Sequence, residues 1–215
     1  MKGNIKAFCK IKDFIFQNLI PNIYVFILYK KLRKKIQDLN QKDQLFEIKS
    51  KKDLDESINI LKSIYEREFN RKKTVEDKAK SSLFIVSLTI SFTLGSLGFL
   101  NSIGLISEGY ILILLIIGLI YLMLSGINCI NVLGITEYYD VHPNNQIIET
   151  ESQLIFNNFK KEEIANYLYK INKLNELIVQ IKTNFAYSTF IGIRNGMVFL
   201  TIFFITIILN IIIKN

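Results

Sequence analysis

Residues suited to chemistry are few in this chain and widely spaced. His142 is the single histidine, set in the turn signal Val141-His142-Pro143-Asn144-Asn145. No partner stands at triad spacing, so it reads as a loop residue. Arginine occurs only at 33, 67, 71 and 194, so none precedes His142 at the short interval of an Arg-x-His ribonuclease pair. Cys9 and Cys129 lack a CxxC partner or a nearby histidine, which implies neither a metal site nor a structural disulfide. The pairs Glu66 with Glu68 and Glu162 with Glu163 lie on basic or solvated helical sequence and read as surface charges. GxxxxGK[ST], GxGxxG and HExxH do not occur. We therefore expect no enzyme, no catalytic residue, no cofactor and no bound metal.

Polar residues inside apolar sequence say more. Ser125, Asn128 and Asn131 recur every three residues, and Thr201, Thr206 and Asn210 interrupt a second apolar block. Buried amides require hydrogen-bond partners or water. Two readings stay open: contacts that join helices, or a polar constriction built by an oligomer, since three helices enclose no pore. Ser87, Ser91 and Gly95 recur every four residues and place small side chains on one face, where another helix can approach closely. With no ionisable residue inside these blocks, a proton-coupled pump is disfavoured.

The elements that must carry these residues are long helices. Half of the 215 residues are hydrophobic, and only two prolines interrupt the chain. Residues 81–107, 109–136 and 195–213 contain no ionisable group, and each equals or approaches the roughly 20 residues needed to cross about 30 Å of hydrocarbon. The fold class is an all-α integral membrane protein with three transmembrane helices and a helical cytoplasmic stalk. The division is a basic module over 1–80, a transmembrane hairpin over 81–136 turning at Ser107-Glu108-Gly109, amphipathic helices over 137–194 and a third span over 195–215.

Arg67, Arg71, Lys72, Lys73, Lys78 and Lys80 precede the first span, and the hairpin tip has no basic residue, which predicts an N-in, C-out, multi-pass protein of the inner membrane. The N-terminus does not read as a cleavable signal, because the apolar run after Lys12 contains Asn18, Pro21 and Asn22 and lacks a small-residue cleavage site. Residues 13–29 suit an interfacial or re-entrant helix. A helix packed on the cytoplasmic domain and a fourth span are the alternatives. Lys30, Lys31, Arg33, Lys34 and Lys35 would then meet anionic headgroups, each contributing on the order of 1 kcal/mol.

Two amphipathic stripes belong to the cytoplasmic part. Leu54, Ile58, Leu61, Tyr65 and Phe69 follow a capping-box-like Ser50 and Asp53. Ile164, Leu168, Ile171, Leu174, Ile178, Ile181 and Phe185 follow a short helix capped at Thr150 and Gln153. Residues 1–81 hold 20 basic and 11 acidic groups, whereas 134–195 hold 6 and 7. Attraction to a membrane surface explains that excess more economically than nucleic acid does.

Glu66-Arg67, then Arg71-Lys72-Lys73, then Glu76-Asp77-Lys78-Ala79-Lys80 running into apolar sequence resembles the juxtamembrane pattern of small bacterial membrane effectors of antiphage defence, including those of cyclic-nucleotide signalling systems. The likeness extends loosely over 60–213, with a second echo in Asn172, Asn175 and Lys182. It implies a homo-oligomer that compromises the inner membrane when triggered, with a soluble sensor or partner protein, or the N-terminal helices, supplying the trigger. The competing expectation is a non-conducting anchor for a soluble partner.

Overall fold

The computed structural model describes residues 18, 20–41, 54–102, 109–136, 147–150, 153–156 and 161–214. Residues 13–17, the Ser50 and Asp53 cap, the tip at Ser107 and Glu108, Cys9 and His142 lie outside the described residues. Among the described residues four helices carry the fold: α1 (Pro21–Gln41), α2 (Leu54–Ser102), α3 (Gly109–Gly134) and α4 (Lys161–Lys214). Pro21 opens α1, where its fixed φ fits the first turn and its missing N–H costs no bond. Asp55 and Glu56 stand in the first turn of α2 and complement the helix dipole. No proline falls within α2, α3 or α4, so α2 continues for 49 residues and α4 for 54. Helices α2, α3 and α4 are each long and apolar enough to cross a membrane.

The expected cap at Thr150 and Gln153 is corrected by the structure. Strand β1 (Ile147–Thr150) pairs antiparallel with β2 (Gln153–Phe156), and Thr150 lies opposite Gln153. The apolar residues Ile147, Ile148, Leu154, Ile155 and Phe156 favour extended backbone over one turn of helix.

Among the described residues, contacts divide the chain into an apolar unit (18–28, 75–135 and 183–214) and a charged unit (29–74 and 136–182). In the apolar unit Val86, Ile111, Leu115, Leu122, Leu200, Phe203 and Ile207 form the core. Helices α3 and α4 run antiparallel there, because Gly118 faces Leu200 and the Gly196 carbonyl, Gly196 faces Leu122, and Gly192 faces Ser125. A Cβ at Gly196 would lie 2.9 Å from Leu122 Cγ and 3.1 Å from the Gly118 carbonyl oxygen. A Cβ at Gly192 would collide with the Ser125 hydroxyl. The Gly192-x-x-x-Gly196 spacing therefore admits a backbone approach that no larger residue allows. The expected packing face of Ser87, Ser91 and Gly95 is exposed, and a Cβ at Gly95 would meet no atom within 4 Å among the described residues.

In the charged unit Leu54, Ile58 and Leu61 of α2 pack on Ile164, Ala165 and Leu168 of α4. The α4 stripe is buried at all seven expected positions, Ile164 to Ile181 in this unit and Phe185 in the apolar one. The α2 stripe ends sooner: Tyr65 is half-buried, Phe69 is exposed, and Glu68 is buried instead. The expectation of Glu68 as a surface charge is thereby corrected, while Glu66 and Glu163 are exposed. Glu68 accepts hydrogen bonds from Arg71 Nη1 at 2.9 and 3.0 Å and lies 3.5 Å from Arg67 Nε. A carboxylate so enclosed requires those partners.

Gly196→Leu is expected to lower unfolding stability in detergent by about 1–3 kcal/mol through overpacking. Gly95→Ala, in open space, is expected to leave it within about 0.5 kcal/mol. Denaturant titration of the two variants checks the contrast, and equal losses would show that α3 and α4 do not meet at the glycines.

Candidate functional site

Register between α3 and α4 places a polar cluster below the glycine contact. Asn128 of α3 is 4 % exposed and donates from Nδ2 to Ser188 Oγ of α4 at 3.0 Å. The same amide donates to Asn22 Oδ1 of α1, and Ser188 Oγ donates to that oxygen at 3.4 Å. Thr189 donates to the Ser125 carbonyl at 3.4 Å, and Cys129 Sγ lies 3.7 Å from Thr189 Oγ1. Three helices thus contribute to the Asn128, Ser188 and Asn22 contacts, beside a second pair of contacts between α3 and α4 at Thr189. Ser125 sends its own hydroxyl to the Tyr121 carbonyl at 2.7 Å, and Asn131 is half-buried.

The start of the described N-terminal segment follows α4. Asn22 meets Ser188, and Asn195 Nδ2 donates to the Asn18 carbonyl at 2.6 Å. Contacts that advance seven residues along α4 put this segment alongside that helix rather than across it. Val25 is buried against the unit, whereas Ile23, Phe26 and Ile27 are exposed on the outer side. The outer face then changes to Lys30, Lys31, Lys34 and Lys35, all exposed. Arg33 is half-buried, with Nε donating to the Tyr29 hydroxyl at 3.1 Å and its guanidinium 5.5 Å from that ring.

Other expected positions do different work. Ser87, Thr201 and Thr206 donate to carbonyls four residues back in their own helices at 2.8–2.9 Å, which removes their need for partners. Asn210 is half-buried. Of the residues ahead of the first apolar stretch, Arg67 and Arg71 are engaged with Glu68, and Lys80 lies 3.4 Å from Asp77. Lys73 and Lys78 are exposed, and Lys72 is half-buried.

Arg194, which charge counting sets at the inner edge of the third span, lies between Gly192 and Gly196, level with Tyr121 and Leu122 of α3. Its Nε and Nη2 donate to Asn195 Oδ1 at 3.3 and 3.2 Å. The charged unit carries a separate cleft of about 350 Å³ lined by Ser57, Arg67, Glu68, Tyr169, Asn172 and Lys173, among others. Asn172 Nδ2 donates to the Leu61 carbonyl at 2.8 Å, while its buried Oδ1 finds no partner among the described residues.

Sequence reasoning singled out Ser125, Asn128 and Asn131 but missed Asn22, Ser188 and Thr189 as their neighbours. The Gly192-x-x-x-Gly196 spacing was the available signal for where α4 meets α3. No sequence feature ties Asn22 to Asn128 across 106 positions.

A double-mutant cycle on Asn22→Ala and Asn128→Ala is expected to give a coupling near 0.6 kcal/mol and below about 2 kcal/mol, the range for bonds between helices in apolar surroundings. Unfolding in detergent measures it, and strict additivity would remove the interaction. Comparison with protein-family profiles, curated proteins and solved structures finds no match to this chain.

Proposed function

We propose that this protein is an oligomeric membrane effector of a bacterial defence system that perturbs or permeabilises the inner membrane. The observation that carries this reading is how little of the apolar helix surface is covered among the described residues. The apolar stretch of α2 is 11 % buried, and Phe84, Leu88 and Phe92 stand out beside the open Ser87, Ser91 and Gly95 face. In a bilayer the large side chains suit lipid, and the small face suits close approach by α2 of another copy. The residues that could line a path are then those at the outside of the apolar unit. Asn128 serves within the chain, since its amide is consumed by Ser188 and Asn22. The exposed lysines of α1 support contact with anionic headgroups, with the N-terminal module inside and the C-terminus outside.

The anchor reading draws on a different observation, the cleft of the charged unit with its buried Asn172 Oδ1, which has no partner among the described residues. A soluble partner that offers an N–H or O–H donor there would satisfy it.

Induced expression of the full chain with its trigger is expected to depolarise bacteria loaded with a potential-sensitive dye. Ser91→Leu or Gly95→Leu should reduce both depolarisation and the cross-linked oligomer, without changing monomer stability. An unchanged potential, together with stoichiometric capture of a soluble partner that Arg67→Ala and Lys173→Ala abolish, would establish the anchor instead.

A further inference from the structure

The apolar unit carries one arginine where hydrocarbon is expected. Gly192 packs on Ser125 and the Tyr121 carbonyl, and Gly196 packs on Leu122 and the Gly118 carbonyl, so Arg194 is held level with Tyr121 and Leu122. Those two residues are the midpoint of α3, Gly109–Gly134. At about 1.5 Å per residue, some 18 Å of helix lies on either side, against a hydrocarbon half-thickness of about 15 Å.

The exposed apolar surface of the unit extends well past Arg194 on both sides, and along α4 it continues to Ile213. Large exposed apolar side chains flank it in both directions: Tyr187, Phe190 and Ile130 on one side, Val198, Ile205 and Ile113 on the other. A headgroup level at Arg194 would leave one of these sets in water.

Arg194 is exposed on the outside of the unit, not folded into it. Its hydrogen bonds go to Asn195, a neutral amide, and among the described residues it has no carboxylate partner. Within the described parts of the apolar unit, acidic residues occur only at Glu76 and Asp77, ahead of the first uncharged stretch. Two hydrogen bonds leave most of the five guanidinium N–H donors unspent. An arginine at the centre of a helix costs roughly 2.5–3.5 kcal/mol on insertion scales, and such residues nearly always face water or a bundle interior. Asn195 orients the guanidinium while holding the Asn18 carbonyl, and Thr201 lies two turns further on the same face of α4, also exposed.

Resting on the effector reading, we infer that Arg194 lines a water-filled path between copies of this chain and selects for small inorganic anions. A cation held at mid-depth without a counterion attracts anions and raises the barrier to other cations.

The test uses purified full-length protein in planar bilayers across a potassium chloride gradient. The wild type is expected to reverse toward the chloride equilibrium potential. Arg194→Lys should keep that sign, Arg194→Gln should bring reversal close to zero, and Arg194→Glu should reverse it toward potassium. Conductance with the same reversal potential in all four proteins overturns the anion path while leaving the effector reading intact. Silence with every protein in the bilayer, together with an unchanged potential in cells that hold the trigger, overturns both. In a Cys9→Ser, Cys129→Ser background, Arg194→Cys in conducting bilayers should react with a charged, water-soluble thiol reagent. An unreactive thiol would assign Arg194 to lipid phosphate reached by bilayer deformation and overturn the path.

Discussion

Close contact between the backbones of α3 and α4 is the constraint on which the rest of the apolar unit depends. Gly192 and Gly196 leave room for Ser125, Leu122 and the carbonyls of Gly118 and Tyr121. Once that contact is made, the antiparallel register is fixed. Asn128 comes opposite Ser188, Cys129 opposite Thr189, and Arg194 opposite the middle of α3. A slip of one helical turn, about 5.4 Å, would separate the Asn128 amide from the hydroxyl that accepts its bond. The glycines thus determine where polar groups fall within an otherwise apolar layer.

Polar groups in that layer divide by what their own helix can supply. Serine and threonine hydroxyls reach back to carbonyls four residues earlier, as Ser87, Thr89, Thr93, Ser96, Thr201 and Thr206 do. Asparagine amides carry two donors and an acceptor, and here they bond groups on other elements. Asn128 reaches Ser188 and Asn22, and Asn195 reaches the Asn18 carbonyl. This requirement gives residues 18–28 a reason to lie along α3 and α4 despite their own Asn and Pro residues, which make a poor span.

The helices and their apolar stretches were legible because they depend on unbroken length and charge, both local properties. The α4 stripe was legible for the same reason, since seven positions at three-four spacing can be counted. Partners were not legible. Glu68 sits where the periodic pattern calls for an apolar residue, and the nearby guanidinium groups of Arg67 and Arg71 make its burial tolerable. Thr150 and Gln153 match a helix cap by residue type, but strand pairing between Ile147–Thr150 and Gln153–Phe156 uses the same residues differently. The level of Arg194 opposite the middle of α3 was not legible from charge counting, because an uncharged run that ends at an arginine reads as the end of a span. The helix and its apolar surface continue past it.

Arginine and lysine are used differently in this chain. A lysine-rich composition dilutes the meaning of any one lysine, but each of the four arginines has a defined partner: Arg33 with Tyr29, Arg67 and Arg71 with Glu68, Arg194 with Asn195. The planar guanidinium suits such fixed contacts, whereas the ammonium group is a strongly hydrated point charge. Lysines 31, 34 and 35 are exposed on α1 and fit that second role, and buried Lys182 is an exception to it. The basic pattern ahead of the first apolar stretch therefore divides by residue type. Its arginines stabilise a buried carboxylate, whereas Lys80 lies beside Asp77 and Lys73 and Lys78 are exposed. By the same logic Arg194, oriented by an amide and lacking a carboxylate among the described residues, keeps its charge available to whatever shares its level.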